Sequence, residues 1–444
     1  MNPFHISRRD FIKRSVVAAA ATGVPAWFLE QSLSAADSPR PLLANDKPNI
    51  ALIGCGGQGK YDTKLATAFA NVVAVCDVDS KRAEEASKLY PGSRVFSDFR
   101  KLLEQKDIHA VINGTPDHWH TFINIAALRA GKDVYGEKPL TLTIDEGRRL
   151  VSAVKKYKGV LQTGSQQRSD ARFRLACELV RNGRLGKLQH VDVILPAGLH
   201  GGPFAPAPVP TELDWNTWQG QTHATDYVPE KCHAKFRYWL EYSGGTMTDW
   251  GAHHHDIALW GIGLDRSGPV SVEGKRLIQE IPGGFDAPSQ YQLEYTYANG
   301  VTQTTTSTLR NRFDGSVDPS VSPDLPLHGV KFTGTDGWIF VTRGKIEASR
   351  KELLEEPLTN KKDPLYVSNN HMGNFFDCIR SRKAPICEAE IGHRSVSVCH
   401  LGVIAIRLGR KLQWNPAKEQ FVNDKDANRW LAREQRKPFT YSMI

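Results

Sequence analysis

The residues best placed to do chemistry stand in two short clusters, Glu137-Lys138-Pro139 and Asp249-Trp250-Gly251-Ala252-His253-His254-His255. If a helix begins near Asp249, that carboxylate and His253 lie four residues apart and share a face. A carboxylate that orients a histidine makes a positioned general base with a pKa near neutrality. The competing reading has Asp249 as a helix cap and the histidines on the surface. Consecutive helical residues point about 100° apart, so His253, His254 and His255 cannot converge on one ion. No further Cys/His cluster offers the missing ligands, and no metal is expected. Lys138 follows a strand pattern, Asp133–Tyr135, whose carboxyl end would project its amine into a crevice, with Pro139 stiffening the turn.

A dinucleotide is the expected occupant of that crevice. Gly54-Cys55-Gly56-Gly57-Gln58-Gly59 follows a Pro-Asn-Ile-Ala-Leu-Ile strand pattern and opens a helical one. Glycines at that spacing allow a tight turn, close backbone approach to a pyrophosphate, and helix–strand packing. Asp77 ends the second strand pattern, where a carboxylate accepts from a ribose hydroxyl and repels a 2′-phosphate. That favours NAD, while Lys81 and Arg82 keep NADP possible. A fourth strand runs into Thr115-Pro116-Asp117-His118-Trp119-His120, again at a carboxyl end. The expected cofactor contacts are Gly54, Gly56, Gly57, Gln58, Gly59, Asp77, Thr115, Pro116, His120, Glu137 and Lys138. Gln166 and Arg168 after a sixth strand, with Arg237, Tyr238 and His254, are candidate substrate contacts.

The elements that would position these residues are of two kinds. From Asn49 to about Thr163, β-branched runs alternate with helical patterns, which gives six strands of a doubly wound parallel sheet. After a helix over about Ala171–Arg181 the patterns Val191–Leu195, Gln290–Tyr297, Val301–Ser307, Gly329–Gly334 and Trp338–Thr342 suggest an α+β domain with a large open, mainly antiparallel sheet. Asn299-Gly300 and Asp336-Gly337 read as tight hairpins. Stretches 201–210 and 316–326, rich in Pro and Gly, read as loops over a site or a subunit contact.

The chain has 444 residues, 40% apolar and 24% charged, with a net charge of +9. Its basic residues form no stripe interleaved with aromatics, so nucleic acid is not an expected partner. Ser7-Arg8-Arg9-Asp10-Phe11-Ile12-Lys13 and the short apolar run to Phe28 read as a twin-arginine export leader, with Ser34-Ala35-Ala36 suited to cleavage. The divisions expected are a leader over 1–36, a linker over 37–47, the dinucleotide domain over 48–165 and the substrate domain over 166–444. A periplasmic protein with no stable membrane span after cleavage follows, with the translocation machinery as a partner. The seven cysteines lack paired spacing and read as buried small hydrophobes.

The glycine fingerprint, Glu-Lys-Pro after the fifth strand and Gly-Gly-x-x-x-Asp-x-x-x-His together resemble the Gfo/Idh/MocA oxidoreductases, the glucose-fructose oxidoreductase and inositol dehydrogenase family, over about Lys47 to Trp414. Leu213-Asp214-Trp215-Asn216-Thr217-Trp218-Gln219-Gly220 is like exported members with a bacterial-type C-terminal domain. The resemblance implies that Lys138, Asp249 and His253 act at the substrate, gives His254 and His255 no role, and implies a dimer or tetramer paired through second-domain sheets. The expected reaction is hydride transfer between a secondary hydroxyl of a sugar or cyclitol and a tightly bound NAD. Alternatives are redox-neutral glycoside cleavage through a keto-sugar and a non-catalytic sugar-binding protein that keeps its nucleotide.

Overall fold

A computed structural model describes residues 23–35, 47–308, 327–359 and 361–444. The twin-arginine motif, most of the linker and the loop at 316–326 lie outside the described residues.

Six strands form the first sheet: β1 Asn49–Ile53, β2 Asn71–Cys76, β3 Arg94–Phe96, β4 Ala110–Asn113, β5 Asp133–Gly136 and β6 Leu161–Thr163. All pair in parallel, in the order β3-β2-β1-β4-β5-β6. Strands β4 and β5 are buried along their whole length, as expected of a sheet covered on both faces. The order reverses between β1 and β4, and a crevice opens there beyond the carboxyl ends.

The second sheet has nine strands: β7 Leu188–Pro196, β8 Ser271–Arg276, β9 Tyr291–Thr296, β10 Thr302–Thr308, β11 Gly329–Gly334, β12 Gly337–Thr342, β13 Lys345–Ala348, β14 Leu412–Asn415 and β15 Gln420–Phe421. Their order is β13-β12-β11-β7-β10-β9-β8-β14-β15, antiparallel except where β10 runs parallel to β7. Alternation sets the inner face: Tyr291, Leu293 and Tyr295 are buried and their neighbours are not. Helices Ala171–Arg181, Gly251–Ile262 and Ala389–Leu408 cover that face.

The chain then returns to the first domain. Helix His371–Ser381 sends Met372, Phe375 and Phe376 into the dinucleotide-domain core, and Gln162 donates to the His371 carbonyl at 2.6 Å. Helix Ala389–Leu408 touches both Ile144–Tyr157 and Gly251–Ile262, so one rod braces the two domains. Upstream, helix Ala26–Ala35 packs on Ala171–Arg181. Its Phe28 is fully buried beneath the Arg174 guanidinium, and Trp27 donates to the Leu354 carbonyl. No helix among the described residues is long and apolar enough to cross a membrane.

Candidate active site

The crevice begins at the turn after β1. Gly54 has φ of 87°, and a Cβ there would meet the Thr115 amide nitrogen at 2.5 Å. Gly59 lies one turn into helix Gly57–Ala66, where a Cβ would sit 2.2 Å from the Gly54 carbonyl oxygen. Both glycines therefore weld strand to helix, and Gly59 itself lies behind the cleft wall. Gly56 and Gly57 face open space, with nothing closer to an added Cβ than the Arg82 guanidinium at 3.5 Å. Their bare backbone and the free N–H groups of the helix start form a cradle for a pyrophosphate.

A cavity of about 450 Å³ continues from this cradle, lined by Asp77, Thr115, Pro116 and Gln58 together with Phe99, Trp119, Trp218, Phe236 and Phe439. Asp77 accepts from the amides of Cys55 (2.7 Å) and Asp79 (2.9 Å), which fixes its carboxylate at the end of β2. Burial raises its pKa, against the lowering effect of those two hydrogen bonds. These residues fit NAD: a backbone cradle for the phosphates, a fixed carboxylate for a ribose and apolar walls for the rings.

A second cavity, of about 630 Å³, shares Gln58 and Arg237 with the first and carries the ionisable groups. Lys138 leaves the end of β5 and places its Nζ 2.5 Å from Asp249 Oδ1 and 3.2 Å from the Asp249 carbonyl oxygen. Arg237 Nε lies 3.4 Å from the same carboxylate. Burial would raise the pKa of Asp249, but Lys138 and Arg237 outweigh it and hold the acid at about 2. His253 is nearly sealed from solvent, and its Nδ1 has no partner among the described residues. Burial first, then the positive charges of Lys138 and Arg343, keep its pKa well below the ordinary histidine value.

Asp249 thus orients Lys138 rather than His253, which corrects the expected pairing. The helix starts earlier than expected, at Thr246, and is interrupted at Trp250 before Gly251–Ile262 begins. The expected near-neutral pKa of His253 is corrected as well, because the imidazole is buried among cations.

The three histidines diverge. His253 lines the substrate cavity. His254 turns away from it, pairs with His328 at 3.0 Å and stacks on Trp250. His255 faces the second sheet and shares a hydrogen bond of 2.9 Å with Gln303. No group of three or more His, Cys, Asp or Glu among the described residues could hold a metal ion.

Other expected contacts also move. Gln166 and Glu137 line the substrate cavity, joined by a 3.0 Å hydrogen bond. Arg168 does not line it: the guanidinium is buried and forks onto Asp256 (2.7 and 2.9 Å), with Asp265 at 3.2 Å, so it locks the fold. His120 spans the Pro139 and Thr115 carbonyls and braces the crevice from behind. Tyr238 packs against Phe285, outside the lining of both cavities. Sequence reasoning missed Arg343, which stacks on Trp250 at 4.9 Å. Gln167, with its amide turned to satisfy both ends, bridges the His253 carbonyl and Arg343. Asp170 and Arg172 complete the rim.

Two family descriptions match: an oxidoreductase family's NAD-binding Rossmann fold over residues 48–165, and its C-terminal alpha/beta domain over residues 200–311 and 327–441. The chain belongs to the Gfo/Idh/MocA oxidoreductase family. Among curated Gfo/Idh/MocA relatives, it is 24% identical to scyllo-inositol 2-dehydrogenase (NAD(+)) of Bacillus subtilis, over 76% of this chain and 87% of that one. It is 35% identical to inositol 2-dehydrogenase 2 of Saccharopolyspora erythraea over 31% of this chain, which spans 42% of that relative's length. The fold matches the WlbA dehydrogenase of Bordetella pertussis in complex with NADH and UDP-GlcNAcA with a TM-score of 0.62 at 20% identity, covering 83% of this chain and 99% of that one. A levoglucosan dehydrogenase in complex with NADH and levoglucosan gives 0.61 at 18% identity over the same shares.

Proposed function

We propose that this NAD-dependent oxidoreductase acts on a secondary hydroxyl of a sugar or cyclitol. The observation that carries the reading is the pair of Lys138, from the carboxyl end of β5, with Asp249, beside His253 in a cavity that shares Gln58 and Arg237 with the cofactor cleft. The named substrates of the inositol and levoglucosan dehydrogenase relatives support the same class.

NAD, when bound, supplies the hydride acceptor or donor. The chain's residues handle the proton and the charge. An ammonium has three donors, and Asp249 engages Lys138 Nζ through its carboxylate and its carbonyl. A remaining donor can face a substrate oxygen and stabilise the charge that develops as its proton leaves. His253 stays neutral at physiological pH and accepts that proton. It is a weak base, so the transfer depends on Lys138 holding the oxygen at the same time. Asp249, ionised throughout, keeps the lysine in place.

The test is to release nucleotide from purified protein before and after incubation with a panel of cyclitols, pyranoses and glycosides. Bound NAD converted to NADH by one class supports the reading. A glycoside consumed with no net accumulation of NADH would replace net oxidation with redox-neutral cleavage.

Export by the twin-arginine route to the periplasm belongs to the same reading and rests on the motif at Ser7–Lys13. Sequencing the N-terminus of exported protein checks it, and mature chains found solely in the cytoplasm would sink it. Pairing of copies through the second sheet is also part of the reading, and a monomer in sedimentation would remove it.

A further inference from the structure

The cofactor cleft has a wall that neither the glycine fingerprint nor the substrate cluster foreshadows. Phe439 and Met443, near the C-terminus, line it together with Phe99, Arg100, Trp119 and Ile123. Asp77 marks the ribose position at the end of β2, and Ser97–Arg100 follow β3, so this apolar slot lies at the adenosine end.

The wall is fastened at both ends. Arg436 donates to the carbonyls of Thr222 (3.0 Å), Asn216 (3.0 Å) and Gly220 (2.7 Å) and to Asn216 Oδ1 (2.7 Å), while its amide donates to the Gln221 carbonyl at 2.9 Å. The loop it grips is itself tied to helix Asp117–Arg129: the Trp218 carbonyl accepts from Trp119 Nε1 at 3.0 Å and meets His118 Nε2 at 2.8 Å. Beyond Arg436, Phe439 is buried edge-on to Trp119 with ring centroids 5.7 Å apart. Tyr441 stacks on Phe122 at 5.1 Å and lies under the Arg149 guanidinium. Tail, loop and helix therefore close one side of the slot as a single packed unit.

We propose that the C-terminal segment Arg436–Met443 is part of the cofactor site and sets how long the dinucleotide stays bound. The inference rests on the reading that the cleft holds NAD. Exit past the adenosine end requires this segment to leave both helix Asp117–Arg129 and the loop at Asn216–Thr222, which bares Phe439 and breaks the Arg436 fork. A protein built this way carries its nucleotide as a resident group.

The experiment uses full-length protein purified with its nucleotide, incubated with isotopically labelled NAD and desalted at intervals, the bound isotope ratio being read by mass spectrometry. Wild type should exchange slowly, Phe439→Ala and Arg436→Ala at least tenfold faster, and Phe439→Leu, which keeps apolar bulk, in between. Circular dichroism melts identify any variant that fails to fold. For such a variant the comparison passes to Phe439→Leu and Arg436→Lys, which must still exchange faster than wild type. Equal exchange rates in folded variants, or wild-type exchange complete within the desalting time, would overturn the proposal. A wild-type protein that binds no dinucleotide at all would instead overturn the functional reading beneath it.

Discussion

The two cavities of the crevice are made from different materials. The cofactor cleft is backbone and apolar surface: Gly56 and Gly57 present bare main chain, and Phe99, Trp119, Trp218 and Phe439 supply flat walls. The substrate cavity is charge: Lys138, Asp249, Arg237 and Arg343 surround a neutral histidine. One strand, turn and helix build the cradle, whereas the charged cluster joins residues more than a hundred positions apart. The first site should fail by steric change and lose the nucleotide; the second should fail by charge change and keep it.

Gly59→Val breaks the cleft side of this comparison most severely. With 2.2 Å between the new Cβ and the Gly54 carbonyl, helix and strand must separate. Overpacking of this kind costs about 1–3 kcal/mol or more. Protein recovered without nucleotide, by absorbance after denaturation, is the expected outcome, and a normally loaded variant would contradict the wedge.

Lys138→Ala sharpens the other side. Turnover should fall by about 10²–10⁴-fold, the range of one positioned proton-handling group, with NAD content unchanged. Asp249→Asn, which keeps shape and removes the anchor for the lysine, should cost less, and loss of nucleotide from either variant would erase the contrast between the cavities.

The smallest effect expected is on acid stability. His253 and His254 are held well below the ordinary histidine pKa, His118, His255 and His400 at about 3 and His371 at about 4, burial being the largest cause in each. Their unfolded forms bind protons from about pH 6.5 downward while the folded forms do not. Their contribution is therefore full above about pH 6.5 and is lost as pH falls towards 4. Asp117 and Glu146, raised to about 7, and Asp62, raised to about 10, act in the opposite sense, because their folded forms hold protons that the unfolded chain has released. His120, His233 and His328 are also held low and Asp77, Glu137 and Asp286 are also raised, so nine imidazoles stand against six carboxyls and leave a net loss. The melting temperature should decline by several degrees between pH 6.5 and 4.5, and a flat profile would mean that these histidines are not buried neutral.

Legibility followed the same division. The six parallel strands and the glycine turn were readable because period, turn and helix start are local signals. Hairpins at Asn299-Gly300 and Asp336-Gly337 were readable for the same reason. Strands β8, β13, β14 and β15 were not, since Ser271–Arg276 mixes charges with a glycine and the other three are only two to four residues long. In the substrate cavity the identities of Lys138, Asp249 and His253 could be read, but their partners could not. The four-residue spacing pointed Asp249 at His253, and a cation arriving from the other domain captured it. Arg168 looked free to meet a ligand because its partners Asp256 and Asp265 come some ninety residues later. Nothing local marked Phe439 or Arg343, whose roles arise from where the chain returns.

The helix Ala26–Ala35 gives the upstream segment a second character. With Phe28 under Arg174, Ser32 bonded to the same guanidinium and Asn369 donating to the Ser32 carbonyl, it behaves as a tethered ligand of the body it precedes. A tether keeps such a ligand at an effective concentration on the order of millimolar. Cutting the chain at Ala36 would turn it into a dilutable peptide, and its departure would uncover the buried Arg174–Glu178 pair to water. The order of folding and cleavage would then decide whether the finished protein has one chain or a chain with its own fragment still seated.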